Sequence, residues 1–179
     1  MAKTIVLGVT GSIAAYRACE LVSALKKSSF DVKVVLTKEG AQFITPLSLQ
    51  TLSGNRVYTD MFGLPEKWDP VHTSLAKEAS LILIAPATAS IIGKLACGVC
   101  DDLLTCVVYA ASAPVVLAPA MNEKMYGHVI VKENIAKLKK TGYFFVGPVK
   151  GHLACGRNAM GHIAPTDDIV AAVKRSIRR

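Results

Sequence analysis

Thr4-Ile-Val-Leu-Gly-Val-Thr-Gly-Ser-Ile-Ala-Ala15 is the stretch on which the fold turns. Thr4 to Val9 is a short β-branched run that closes at a glycine turn, the pattern of a parallel strand buried on both faces. After the turn Gly8-Val-Thr-Gly11-Ser12, a helical pattern runs through Ala18, Leu21, Val22 and Leu25 and fades into Lys26 and Lys27. The same alternation repeats along the chain. Val32 to Leu36, Leu81 to Pro86, Val115 to Pro119 and Tyr143 to Pro148 read as further strands. Ala41–Leu52 (with a boundary at Pro46), Ala89–Ala96, Leu103–Ala111, Val129–Lys140 and Asp167–Ile177 read as helices. Strands alternating with helices imply right-handed crossovers. The expectation is an α/β fold, a three-layer doubly wound parallel sheet of the Rossmann or flavodoxin-like kind. Ligands of such sheets sit outside the carboxyl ends of the strands, and most unusual residues of this chain fall there.

Composition bounds the function. A chain of 179 residues suits one domain, and residues 1–179 are expected to form one. With 51% apolar and 19% charged residues, disorder is excluded. No apolar run approaches the roughly 18–20 residues of a membrane span, and the N-terminus lacks the pattern of a signal peptide, so a cytoplasmic protein without membrane partners is expected. The net charge of +8 gathers in Lys137, Lys139, Lys140 and the tail Lys174, Arg175, Arg178, Arg179, which read as solvated helix faces. With 6% aromatic residues and no basic stripe, no nucleic-acid platform is expected. Cys97-Gly-Val-Cys100 has no second pair, so no metal site is expected either.

Several strand ends carry candidate chemistry. Gly8-Val-Thr-Gly11-Ser12 is a phosphate cradle or a plain tight turn, and Thr37 with Lys38 could face the same ligand. Pro86-Ala-Thr-Ala-Ser90 offers small residues and two hydroxyls where a flat ring could approach, or a simple β–α turn with Ser90 as cap. Asn122, in Pro119-Ala-Met-Asn-Glu-Lys-Met-Tyr126, could hold a carboxylate or cap a helix. His72 lies just ahead of a short helix leading into the Leu81 strand, where a lone histidine is more often structural or simply exposed than catalytic. Residues 54–70 read as a long loop.

Taken in order, Gly11-Ser-Ile-Ala-Ala, His72, Pro86-Ala-Thr-Ala-Ser, Asp101-Asp-Leu-Leu-Thr, Pro119-Ala-Met-Asn-Glu-Lys-Met-Tyr and Gly151-His-Leu-Ala-Cys-Gly resemble the homo-oligomeric flavin-containing cysteine decarboxylases. The resemblance covers about four-fifths of the chain. It implies FMN held by Gly11, Ser12, Ile13, Thr37, Pro86, Ala87, Thr88 and Ser90. It also implies a substrate site at Ala120, Met121 and Asn122, a catalytic His72, and Cys155 on a clamp that closes over the substrate. The implied reaction converts 4′-phosphopantothenoylcysteine into 4′-phosphopantetheine and carbon dioxide, in coenzyme A biosynthesis, by a homotrimer or homododecamer. Related activities in the same family are peptidyl-cysteine decarboxylation and flavin prenyl transfer, and a non-catalytic flavin-binding regulatory subunit is a further reading. The prenyltransferases lack the Pro-x-Met-Asn segment paired with a late cysteine. Two segments depart from the family pattern. Thr88, Ser90 and Ile91 replace Ser, Asn and Thr, and His162 stands where Arg is common.

The chemistry accounts for those residue types. A carboxylate beside a thiol-bearing carbon cannot leave unless the charge left behind has an electron sink. Oxidation of the thiol carbon to a thioaldehyde by the cofactor creates that sink, and the protein then orients and protonates. His72 suits acid–base work at the thiol end, Asn122 the carboxylate, and Cys155 a late proton donation.

Overall fold

The computed structural model describes residues 2–62, 70–154 and 156–178. Strand β1 (Thr4–Val9) lies at the centre of a six-stranded sheet of order β3-β2-β1-β4-β5-β6, with every pairing parallel. The others are β2 (Asp31–Leu36), β3 (Val57–Tyr58), β4 (Leu81–Ala87), β5 (Val115–Pro119) and β6 (Phe144–Phe145). This is the Rossmann order. The connections reverse direction beside β1 and open a crevice between β1 and β4 at their carboxyl ends.

The central strands are buried almost without interruption, their successive residues entering cores on opposite faces, as a sheet covered on both faces requires. Ile5, Leu7 and Val9, with Leu81, Leu83 and Ala85, join a cluster that includes Leu21, Val22 and Leu25 of α1 (Ala18–Lys27) and Val173 of α8 (Thr166–Ile177). Val6, Ile82 and Ile84 face the opposite cluster, with Ile92 and Leu95 of α4 (Ala89–Cys97) and Leu104 and Val107 of α5 (Leu103–Ala110). Leu75 of α3 (Val71–Glu78) and Leu138 of α7 (Val129–Lys140) join that second layer. Each such side chain contributes roughly 1.5–3 kcal/mol by leaving water. The two edge strands are two residues long, which leaves little exposed ladder for a foreign strand.

Several expectations change in detail. Residues 41–52 divide into a 3-10 turn (Gly40–Gln42) and α2 (Pro46–Ser53), because Pro46 takes the first helical position, where its missing N–H costs nothing. Residues 54–70 contain β3, which pairs Val57 and Tyr58 with Val34 and Val35. The stretch after residue 143 yields only two strand residues. Beyond it, β7 (Val149–His152) and β8 (Asn158–His162) form a separate antiparallel hairpin that the sequence pattern did not announce. A short helix α6 (Glu123–Gly127), also unexpected, follows β5.

Candidate active site

Thr10 ties together the two strand ends that border the crevice. Its buried hydroxyl donates to the Pro86 carbonyl at 2.7 Å and accepts from the Thr88 amide at 3.2 Å. The turn that follows is held by the Ser12 amide, which donates to the Thr10 carbonyl at 2.8 Å, and by Ser12 Oγ, which accepts from the Ala14 amide at 3.3 Å. Gly11 permits this turn to lie against the one after β2, since a Cβ there would stand 2.4 Å from Glu39 Cβ. Thr37 fixes that second turn by accepting from the Gly40 amide at 3.1 Å. Thr88 caps α4, its Oγ1 accepting from the Ile91 amide at 3.3 Å.

These turns enclose a cavity of about 340 Å³. Gly11, Ser12, Thr37, Thr88 and Ser90 line it, while Ala89, Ile91, Ala120, Met121 and Met125 supply apolar walls. A lining that combines hydroxyls and turn backbone with apolar side chains suits a flat ring that carries a phosphate chain. A flavin therefore fits the donor set. Pro86 and Ala87 lie behind the wall, buried in β4; the Pro86 carbonyl serves Thr10 and the Ala87 carbonyl accepts from the Ala120 amide at 3.1 Å. Ile13 faces elsewhere, more than half exposed.

A second cavity, of about 520 Å³, adjoins the first, and Ser12, Ala120 and Met121 line both. Ile13 and Asn122 line the second, as do His152 to Ala154 and Gly156 of the hairpin turn. Asn122 is also the cap of α6. Its Oδ1 accepts from the Lys124 amide at 2.9 Å and its Nδ2 donates to Glu123 at 2.8 Å. Glu123 in turn meets Arg157 at 3.2 Å. The hairpin docks on this loop through its backbone, the Met121 amide donating to the Gly161 carbonyl at 3.1 Å. Gly161 has φ +142°, and a Cβ there would lie 2.2 Å from the Met121 carbonyl oxygen. Only glycine fits. Cys155, expected on this turn, lies outside the described residues.

His72 is not brought to either cavity. It is the second residue of α3 rather than preceding it, half-buried, on a helix whose neighbour is α5. The structure adds Glu39 and Lys94 to the first cavity and Arg17 to the second, and it brings to these cavities Thr10, Asp102, His152 and His162, which the sequence singled out without assigning them a role. Lys94 Nζ is held at 2.8 Å by both Asp101 and Asp102. Partial burial opposes its charge, yet the two hydrogen bonds win and the ammonium is pushed up to about 12. Burial likewise opposes the Asp102 carboxylate. Bonds from Lys94 and from Thr105, its partner in a capping box, nevertheless hold it below the usual carboxylate range. Their signal in the sequence was Asp101-Asp-Leu-Leu-Thr, a cap followed by an apolar run.

The flavoprotein family pattern matches residues 1–178. This chain belongs to the flavoprotein family. It is 42% identical over 179 residues to a probable phosphopantothenoylcysteine decarboxylase of Streptococcus mutans, covering 99% of this chain and 100% of that one. It is also 44% identical over 173 residues to the coenzyme A biosynthesis bifunctional protein CoaBC of Bacillus subtilis. That match covers 97% of this chain and 43% of the relative, so the chain spans less than half the length of such bifunctional proteins. In three dimensions it superposes along its whole length, with a TM-score of 0.88 and 28% identity, on a phosphopantothenoylcysteine decarboxylase mutant complexed with pantothenoylaminoethenethiol.

Proposed function

We propose that this chain is an FMN-dependent carboxy-lyase that converts 4′-phosphopantothenoylcysteine to 4′-phosphopantetheine in coenzyme A biosynthesis. The observation that carries the reading is the pair of adjoining cavities at the strand ends. One suits a flavin and one a substrate, and they share Ser12, Ala120 and Met121 as a common wall. A substrate in the second cavity would thus present its reacting end to the first. The relatives' names and the flavoprotein family support this choice over a non-catalytic flavin carrier.

In this reading the Gly11–Ser12 turn, Thr37, Thr88 and Ser90 hold FMN in the first cavity. FMN held there would supply reversible two-electron redox chemistry, and with it the electron sink that decarboxylation needs. Asn122 orients the cysteine carboxylate towards that shared wall by its amide. Its bond to Glu123 holds the amide ready, and binding exchanges one acceptor for another. Because His72 lines neither cavity of its own chain, it acts as acid–base at the thiol end in a neighbouring copy's site within a homotrimer, alone or as part of a dodecamer. Cys155, between two residues that line the second cavity, donates the proton that completes the product. Residues 1–179 act as one flavoprotein domain in the cytoplasm, with a small molecule as substrate.

The direct test of the first requirement is flavin content. Purified or reconstituted protein should be yellow, with about one FMN per chain released on denaturation. A protein that remains colourless after reconstitution would sink the proposal.

A further inference from the structure

We propose that Cys100 and Cys106 form a thiol–disulfide exchange site beside the first cavity, closed by small-molecule disulfides, and that its closure weakens the grip on FMN. The pair stands on the geometry of one turn, and its effect on FMN rests on the flavin reading above.

Three cysteines meet where α4 gives way to α5. Cys97 ends α4, Cys106 is the fourth residue of α5, and Cys100 lies in the turn between them. They do not make a metal site: among the described residues, no group of three or more His, Cys, Asp or Glu side chains is placed to hold an ion. Cys100 is exposed and Cys106 half-buried. The Cys106 thiol donates to the Cys100 carbonyl at 3.6 Å. Backbone dimensions then put the Cys106 sulfur within about 6 Å of the Cys100 Cα. The Cys100 thiol is turned the other way and donates to the Gly98 carbonyl at 3.8 Å. Rotation of that exposed side chain towards α5 brings the two sulfurs together, and such rotations are fast. Cys97 is the poorer partner. Gly98, at φ +75°, ends α4, and the Gly98 and Val99 amides both donate to the Lys94 carbonyl. A bond from Cys97 to Cys100 would have to distort that turn.

The exchange balances with a small disulfide as its only co-reactant. The Cys100 thiolate attacks one sulfur of the small disulfide, whose S–S bond breaks, and the released thiolate takes up a proton. The Cys106 thiolate then attacks the Cys100 sulfur of the mixed disulfide, and a second small thiol leaves. Two protein thiols are oxidised, one small disulfide is reduced, and both thiol protons end on the released thiols. Exposure sets the order. Burial pushes the Cys106 thiol up, so it acts second, as the resolving thiol.

The turn that carries Cys100 also carries Asp101, which holds Lys94 at 2.8 Å. Lys94 lines the first cavity. Asp102 stays with α5, fixed by its capping box with Thr105, whereas Asp101 moves with its neighbour Cys100. Closure thereby takes from Lys94 one of the two carboxylates that fix it in the cavity wall. FMN affinity should fall by about two- to fivefold, the scale of one partly exposed ion pair.

The test equilibrates FMN-loaded protein with mixtures of oxidised and reduced glutathione, then alkylates and digests it with trypsin. Cleavage after Lys94 and Lys124 leaves Cys97, Cys100 and Cys106 on one peptide. In oxidised mixtures that peptide should lose two hydrogens and keep a single alkylatable thiol, and reduced mixtures should reverse the change. Cys97→Ser should still close. Cys106→Ser should stop at a mixed disulfide with glutathione on Cys100, and Cys100→Ser should form no internal bond. Circular dichroism reports whether each variant is folded. In fluorescence titrations, oxidised wild type should bind FMN two- to fivefold more weakly than reduced, with no such difference in Cys106→Ser. Three alkylated thiols in oxidised wild type, or an internal bond that survives Cys106→Ser, would overturn the pair. Equal FMN affinity in the two states would overturn its effect on the cavity. Protein that takes up no FMN in either state would count against the flavin reading instead, and the peptide masses still decide the pair.

Discussion

Replacing Thr10 by valine keeps the shape of the side chain and removes one oxygen. That oxygen donates to the Pro86 carbonyl at 2.7 Å and accepts from the Thr88 amide at 3.2 Å, in a residue only 3% exposed. Thr10→Val leaves a buried carbonyl and a largely covered amide without this partner. Each orphaned group costs about 1–3 kcal/mol, and two together about 2–4 kcal/mol when one amide can turn towards the cavity. For a chain of this size, 1 kcal/mol corresponds to roughly 2–4 °C, so the melting temperature should fall by about 5–15 °C. The loss should also loosen the first cavity, since the Thr88 turn forms its wall, and weaken FMN by about tenfold. Circular dichroism melts at fixed FMN concentration and fluorescence titration of FMN measure the two effects. Thr10→Ser is the control, because it keeps the oxygen and loses one methyl group, about 0.8 kcal/mol. A Thr10→Val protein that melts within about 1 °C of wild type, or Ser and Val variants that behave alike, would refute the assigned role.

Other outcomes follow from the same geometry. Gly161→Ala should push the hairpin off the Met121 carbonyl at a cost of about 1–3 kcal/mol. It should raise substrate KM while leaving FMN content near wild type, as steady-state kinetics and absorbance would register. Lys94, pushed up to about 12 from an ordinary 10.5, contributes its full stability below pH 10.5 and loses it as pH rises towards 12. Asp102, held low, contributes above about 3.8 and loses its share on acidification below that. Lys94→Met should therefore be less stable at neutral pH and show a shallower decline at both extremes in urea titrations. His72→Asn should abolish carbon dioxide release with FMN retained, whereas Cys155→Ser should release carbon dioxide and accumulate an oxidised enethiol-type product by mass spectrometry.

The centre of the fold was legible because its strands are runs such as Leu81-Ile-Leu-Ile, buried on both faces and too apolar for any other place. The edges were not. Val57–Tyr58 and Phe144–Phe145 are two-residue strands, shorter than any periodicity can reveal. The β7–β8 hairpin was hidden by its composition, with Gly151, Gly161 and two histidines in place of alternating apolar residues. Of the candidate site, the hydroxyls at Ser12, Thr37, Thr88 and Ser90 converge as the strand-end rule implies. Pro86 and Ala87 do not reach the cavity, since strand pleating turns them into the core. Lys94 and Asp102 come together only through the packing of α4 and α5, which sequence spacing cannot show. His72 depends on contacts beyond one chain in the proposed reading, and those lie beyond what a single sequence encodes locally.

The measurement that bears most directly on the central claim is mass spectrometry after FMN-loaded protein meets phosphopantothenoylcysteine, beside a peptide ending in cysteine. Loss of carbon dioxide from the first, giving 4′-phosphopantetheine at unchanged oxidation level, is the outcome expected, with the peptide left intact. An untouched phosphopantothenoylcysteine, or decarboxylation of the peptide alone, would contradict the account.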